Sequence, residues 1–339
     1  MAIDIFSLQP NKISRDLRSK FILLAGAPKI GKTEFCAQSD KALILATEIG
    51  TNAQSGVRAL PIQKFADFKL VLRQLEKPEA KQMYSTICID TIGILYDLCE
   101  QFICQQNGVS KIGDIPYGGG YSQTSKEFEN CLRKITMMGY GLIMTCHLKE
   151  TADDDGKVIG YKPDLNNRCL KTVNGLVDII GVITQTWNEK GESERWIQTR
   201  ATPTITAGSR YKYLEPRIPF GFHELEQAVA KAIDMEEKNG GLVTDEAPII
   251  QEEKLDFNAL MSEAREIWTT KVNNAQTDED KEAAVRAMSK KVEMVFGRKL
   301  KLSEVTEDQV SLLQLAVPGN AVGVLGVGKV RDLYAVYCL

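Results

Sequence analysis

Residues 26–33 read Gly-Ala-Pro-Lys-Ile-Gly-Lys-Thr, a G-x-x-x-x-G-K-T loop, and no other stretch restricts the fold of this chain as strongly. The apolar run Phe21–Ala25 precedes it and Glu34-Phe35-Cys36-Ala37-Gln38 follows. A strand, this loop and a helix are the parts of a phosphate-binding turn. The glycines let the backbone turn tightly and aim its N–H groups inward, and the dipole of the new helix adds to that field. Gly26, Ala27, Pro28, Lys29, Ile30, Gly31, Lys32, Thr33 and Glu34 are therefore expected to cradle a nucleotide. Lys32 would reach the β- and γ-phosphates, and the Thr33 hydroxyl would hold Mg²⁺. ATP and Mg²⁺ are the expected ligands.

A loop of this kind needs a sheet around it. Residues 42–47 form a second apolar run ending at Glu48-Ile49-Gly50. Thr86-Ile87-Cys88-Ile89 ends at Asp90, and Gly141-Leu142-Ile143-Met144-Thr145-Cys146 ends at His147. Between them Ile92, Leu95, Tyr96, Cys99, Phe102 and Ile103 recur at helical spacing, as do Phe128, Leu132, Ile135 and Met138. Continuous apolar strands alternating with amphipathic helices predict an α/β fold with a mostly parallel sheet covered on both faces. Polar residues gather at the strand ends, where open α/β sheets bind ligands. Asp90 has the Walker B position of a Mg²⁺ ligand. Glu48 is the candidate general base for an attacking water, and His147 a candidate γ-phosphate sensor.

The net charge of −3 provides no overall basic field, so any nucleic-acid contact must come from local loops. The 8 cysteines include no C-x-x-C pair, and with only 2 histidines a zinc site is not expected. Buried free thiols in a reducing cytoplasm fit better. The first residues, Met-Ala-Ile-Asp-Ile-Phe, have no basic-then-apolar leader pattern, and no apolar run is long enough to span a membrane. A cytoplasmic protein is expected.

Residues 149–175 are polar and turn-rich, with Asp153-Asp154-Asp155-Gly156 followed by Lys162, Arg168 and Lys171. Leu176–Trp187 and Glu194–Arg200 read as a hairpin around Asn188-Glu189-Lys190-Gly191. Residues 201–220 are loop-like, and 222–238 form an amphipathic helix closing the first domain, residues 1–238. Residues 239–254 read as an acidic Gly/Pro linker and 255–316 as a helical appendage. Thr277 would cap one helix and Gly297 end it, and Thr306-Glu307-Asp308-Gln309 forms a capping box before Val310, Leu312, Leu313 and Leu315. Residues 317–339 show no clear period.

Gly-Ala-Pro-Lys-Ile-Gly-Lys-Thr (26–33), the strand ending at Glu48, Ile-Cys-Ile-Asp-Thr (87–91), Ile-Pro-Tyr-Gly-Gly-Gly-Tyr (115–121), Ile-Met-Thr-Cys-His (143–147) and Ala-Gly-Ser-Arg-Tyr (207–211) together resemble the RecA-like P-loop ATPases of phage recombination cassettes, some of them single-strand annealing proteins. The resemblance covers about residues 1–238. It implies that Glu48 is the catalytic glutamate, that His147 stands where a glutamine sensor is usual, that 207–211 lies near the nucleotide, and that Arg210 acts as an arginine finger toward a neighbour's nucleotide. It further implies that two strand-end loops, 107–121 and 149–175, bind single-stranded DNA through Lys111, Tyr117, Tyr121, Lys162, Arg168 and Lys171. Assembly into a homo-oligomeric ring or filament on single-stranded DNA follows from it, with a single-strand-binding protein as a candidate partner. Two other functions fit a phosphate loop: a nucleotide-dependent loader or switch acting on a protein partner in DNA replication, and a small-molecule phosphotransferase. For the last, neither an arginine-rich lid nor an acceptor site is clear in the sequence.

Overall fold

The computed structural model describes residues 10–16, 20–48, 55–245, 257–310 and 313. The chain divides into two compact units, one of residues 11–251 and one that holds the helices after residue 256.

In the first unit β1 (Ile13–Ser14) leads to β2 (Phe21–Ala25), then α1 (Lys32–Ala37), β3 (Ala42–Ala46), β4 (Ala59–Pro61), α2 (Phe65–Leu75) and α3 (Pro78–Met83). β5 (Thr86–Asp90), α4 (Ile92–Gln106), α5 (Gly119–Met137) and β6 (Gly141–Cys146) follow, then β7 (Leu148–Ala152), β8 (Val158–Pro163) and α6 (Asn167–Leu176). The unit ends with β9 (Ile179–Trp187), β10 (Ser193–Gln198), β11 (Gly208–Ser209), β12 (Arg217–Pro219), α7 (Phe222–Lys238) and β13 (Val243–Thr244).

Among the described residues the main sheet has nine strands, in the order β12-β10-β9-β2-β6-β5-β3-β4, with β11 paired to β9. Strands β9 to β4 of that order run parallel, and β10, β11 and β12 are antiparallel additions. Each central strand buries both faces. Leu23, Ile87 and Ile89 join Phe65, Phe68, Tyr96, Phe128, Leu132 and Val173 of α2, α4, α5 and α6. Ile22, Leu24 and Cys88 join Phe35 of α1 and Leu225, Val229 and Ile233 of α7. That double burial is why these strands are uninterrupted apolar runs. Cys36, Cys88, Cys99, Cys104, Cys131, Cys146 and Cys169 are buried free thiols, and Cys338 lies outside the described residues.

Several polar segments are more ordered than their sequence suggests. Residues 149–175, read as a turn-rich loop, contain the β7–β8 hairpin and α6. Neither hairpin strand has a continuous apolar face, so its alternation is weak. Residues 109–121 pack Ile112 and Ile115 against Ile103 and Cys104 in a small core of their own, with Tyr121 against it. The loop-like 201–220 contributes β11 and β12. Of the stretch read as a linker, Val243–Thr244 pairs in parallel with Ile13–Ser14. Arg15 fastens this corner through Asp234 (3.1 Å), Glu237 (2.6 Å) and Asp245 (3.0 Å). Two-residue strands are too short to leave any periodic signal; residues 246–254 lie outside the described residues.

The second unit contains α8 (Phe257–Asn273) and α9 (Asp278–Phe296). Thr277 caps α9 by accepting from Asp280 N, and Gly297 ends it at φ 68°. Thr306 forms a capping box with Gln309, and Leu260, Met261, Ala264, Val305 and Leu313 make a small core. Leu312, Leu315 and residues 317–339 lie outside the described residues. Among the described residues, no helix is long and apolar enough to cross a membrane.

Candidate nucleotide site

Because β2, β6, β5 and β3 are parallel neighbours, their C-terminal ends share one edge of the sheet. The loop after Ala25 opens there. A side chain at Gly26 would put its Cβ 2.8 Å from Ile30 Cγ2 and 2.9 Å from Ile183 Cδ1 and force those side chains to shift, so the close approach of the loop to β9 favours glycine. Lys29 (φ 63°) and Gly31 (φ 111°) make the left-handed turns that curl the loop into α1. Ala27, Pro28 and Lys29 are exposed, whereas Lys32 is buried. Its ammonium folds back over the loop and donates to the carbonyls of Gly26 and Ala27, both at 2.9 Å. Burial lowers the pKa of Lys32, and the charge of Asp90 is the main opposing influence.

Two polar clusters flank this lysine. Asp90, at the end of β5, accepts from the Thr33 hydroxyl at 2.6 Å and from the buried hydroxyl of Thr145 on β6. Glu48, two residues past β3, accepts from Thr91 Oγ1 at 3.0 Å and lies 3.2 Å from His147 Nε2. Thr91 N in turn donates to Thr47 Oγ1 at 2.8 Å, tying the two strand ends together. His147 Nδ1 stands 3.5 Å from Lys32 Nζ, so the imidazole bridges the lysine and the glutamate. An Nε2–H tautomer donates to Glu48 and leaves Nδ1 an acceptor toward Lys32. The structure thus brings Lys32, Thr33, Glu48, Asp90 and His147 to one place. It adds Thr145, Thr91 and Thr47, for which the sequence held no signal beyond their positions in or beside strand ends.

On the other side of the loop stands a residue that sequence reading missed. Arg195 of β10 donates from Nη1 to Ile30 O at 2.8 Å and lies 3.4 Å from Glu34 Oε2. Its guanidinium is stacked 4.5 Å from the centre of the Phe220 ring.

Arg210 and the segment 207–211 lie elsewhere. Gly208 and Ser209 pair with Ile180 and Ile179, at the start of β9, whereas the phosphate loop follows the far end of the parallel β2. Arg210 binds Asp178 Oδ1 at 3.1 Å and Gly175 O at 2.9 Å, while Asp178 Oδ2 accepts from Phe21 N at 3.0 Å. Strand direction thus puts 207–211 at the edge of the sheet opposite this chain's own phosphate loop. There the Arg210 guanidinium is held within the chain.

The residues expected at the DNA loops are partly gathered. Arg168 of α6 stacks 4.0 Å over the ring of Tyr121 on α5, so the two segments meet. Tyr117 is fully exposed at φ 57°, on a one-turn 3₁₀ segment of the small packed knob. Lys111, Lys162 and Lys171 are exposed, and Lys162 sits directly opposite Lys149 in the β7–β8 hairpin.

Residues 18–211 match the family described as AAA domain. The chain is also similar to the SPbeta prophage-derived uncharacterized protein YorG of Bacillus subtilis (strain 168), with 30% identity over 327 residues, 93% of this chain and 97% of the relative. Among solved structures it is similar to the flagellar accessory protein FlaH from Methanocaldococcus jannaschii, at 13% identity and a TM-score of 0.33, over 60% of this chain and 85% of that one. The chain belongs to the AAA domain family, and its phosphate loop is that of a nucleotide-binding, AAA-type P-loop ATPase.

Proposed function

We propose that this AAA-domain protein hydrolyses ATP with Mg²⁺ and works on single-stranded DNA, promoting annealing or strand exchange in phage-type recombination. One observation carries the reading: Lys32, Thr33, Glu48, Asp90 and His147, drawn from four neighbouring strands, meet in linked polar clusters around the phosphate loop. The adjoining Thr33 hydroxyl and Asp90 carboxylate are hard oxygen donors of the kind Mg²⁺ takes alongside substrate phosphates. When bound, Mg²⁺ supplies charge neutralisation at the phosphates. Lys32 turns from the loop carbonyls to the phosphate oxygens, and the loop N–H groups hold them in place. Glu48 accepts the proton of the attacking water, and His147 Nε2–H keeps its carboxylate oriented.

Three features support single-stranded DNA as the second ligand. Tyr117 presents a bare aromatic ring from a packed support. Arg168 and Tyr121 join a cation to an aromatic face. Lys149 and Lys162 oppose each other across the hairpin, an unfavourable pairing that a phosphate relieves. The prophage origin in the relative's name is in keeping with a phage role, and assembly into a homo-oligomeric ring or filament on the strand is part of the proposal.

Phosphate release measured with and without Mg²⁺ and single-stranded DNA tests it. Turnover should require Mg²⁺ and rise with DNA. No turnover refutes the ATPase role; turnover indifferent to DNA transfers the second role to a protein partner, as in a nucleotide switch.

A further inference from the structure

The groups placed around the terminal phosphate all lie on one side of β2: Asp90 ends β5, His147 follows β6 and Glu48 follows β3. The other side of β2 carries β9, β10 and β12. A nucleotide whose γ end faces Glu48 and His147 therefore runs along the loop, past the start of α1, toward β10.

Arg195 occupies that exit. Its Nη1 reaches Ile30 O and lies beside Glu34, and a Cβ on Gly31 would stand only 2.4 Å from it. One face of the guanidinium is covered by Phe220, whose ring is tilted against Phe35 of α1 at 5.9 Å between centroids, so the stack is anchored in the core. The Arg195 side chain nevertheless remains 38% exposed. A planar, weakly hydrated cation backed by an aromatic ring is suited to a flat π surface.

We infer that Arg195 and Phe220 form the nucleoside end of the cleft, where the base of a purine nucleotide stacks on the outer face of the Arg195 guanidinium beside Glu34. This rests on the reading of the phosphate loop as an ATP site. Stacking reads the face of a base rather than its edge, so adenine and guanine nucleotides depend on Arg195 alike.

Calorimetric titration of the full chain with ADP and with inorganic pyrophosphate, each with Mg²⁺, tests the assignment in wild type, Arg195→Ala and Arg195→Lys. Loss of one base stack predicts about tenfold weaker ADP binding in Arg195→Ala, with pyrophosphate binding within about twofold of wild type. Arg195→Lys should resemble Arg195→Ala, because an ammonium keeps the charge and loses the plane. Three results overturn the assignment: unchanged ADP affinity in Arg195→Ala, equal losses for ADP and pyrophosphate, or full ADP affinity in Arg195→Lys. Equal losses would mean that Arg195 only shapes the loop. Failure of the underlying ATP site looks different, since wild type would then bind neither ligand.

Discussion

Thr145→Val isolates how Asp90 is held. Thr145 is fully buried on β6 and donates its hydroxyl to Asp90 Oδ1, while Thr33 donates to Oδ2. Valine keeps the shape and removes the donor. A hydrogen bond to a charged group contributes about 1.5–3 kcal/mol, and Asp90 is only 7% exposed, so water is a poor replacement. A loss of about 2 kcal/mol in a unit the size of residues 11–251 lowers Tm by about 4–8 °C. The carboxylate also becomes free to turn from Thr33. If nucleotide affinity with Mg²⁺ falls tenfold, the stabilisation by ligand shrinks by about a further 1.4 kcal/mol. Thr145→Ser restores the donor at the cost of a buried methyl, about 1 kcal/mol. It should recover the nucleotide-dependent shift without recovering the whole Tm. Differential scanning fluorimetry with ADP, in Mg²⁺ and in EDTA, reads both quantities. A Val variant with wild-type Tm and wild-type shift, or a Ser variant that loses as much shift as Val, refutes the claim that this hydroxyl positions Asp90.

Lys32→Ala should lower ATP turnover by about 10²–10³ with the fold intact, measured by phosphate release and circular dichroism. Glu48→Gln should retain ATP binding and hydrolyse slowly, because an amide cannot take the proton; lost binding would make Glu48 structural. Changing Lys162, Arg168 and Lys171 together to Ala should weaken single-strand binding for all sequences and flatten its salt dependence. Three phosphate contacts correspond to a slope of about −2, and anisotropy titrations across salt concentration measure it. Ending the chain after Asp245 should preserve ATP binding, whereas ending it at Gly240 removes β13 and the Asp245 partner of Arg15 and should lower Tm. Equal melting of the two truncations would show that this corner contributes nothing.

The legible part of this protein is what local sequence encodes. The loop at 26–33 and the strands ending near Glu48, Asp90 and His147 are continuous in sequence, and parallel pairing forces such ends to one edge. Their meeting was therefore readable before any distance was known. The hairpin at 148–163 and the pair β1–β13 were not, because exposed or two-residue strands carry too little hydrophobic pattern to stand out from a loop.

The sequence by itself determined the α/β class, the phosphate loop and the side chains offered to it. Only the tertiary structure decided which distant residues complete the site. Arg195 reaches a loop 165 residues away because β10 adds antiparallel to β9, which lies beside β2. Arg210, close to it in sequence, is carried by β11 to the opposite edge and binds Asp178. Nothing local distinguishes the two arginines. Strand order and direction do, because pairing fixes which end of a strand faces the loop, and that information is spread over the whole sheet.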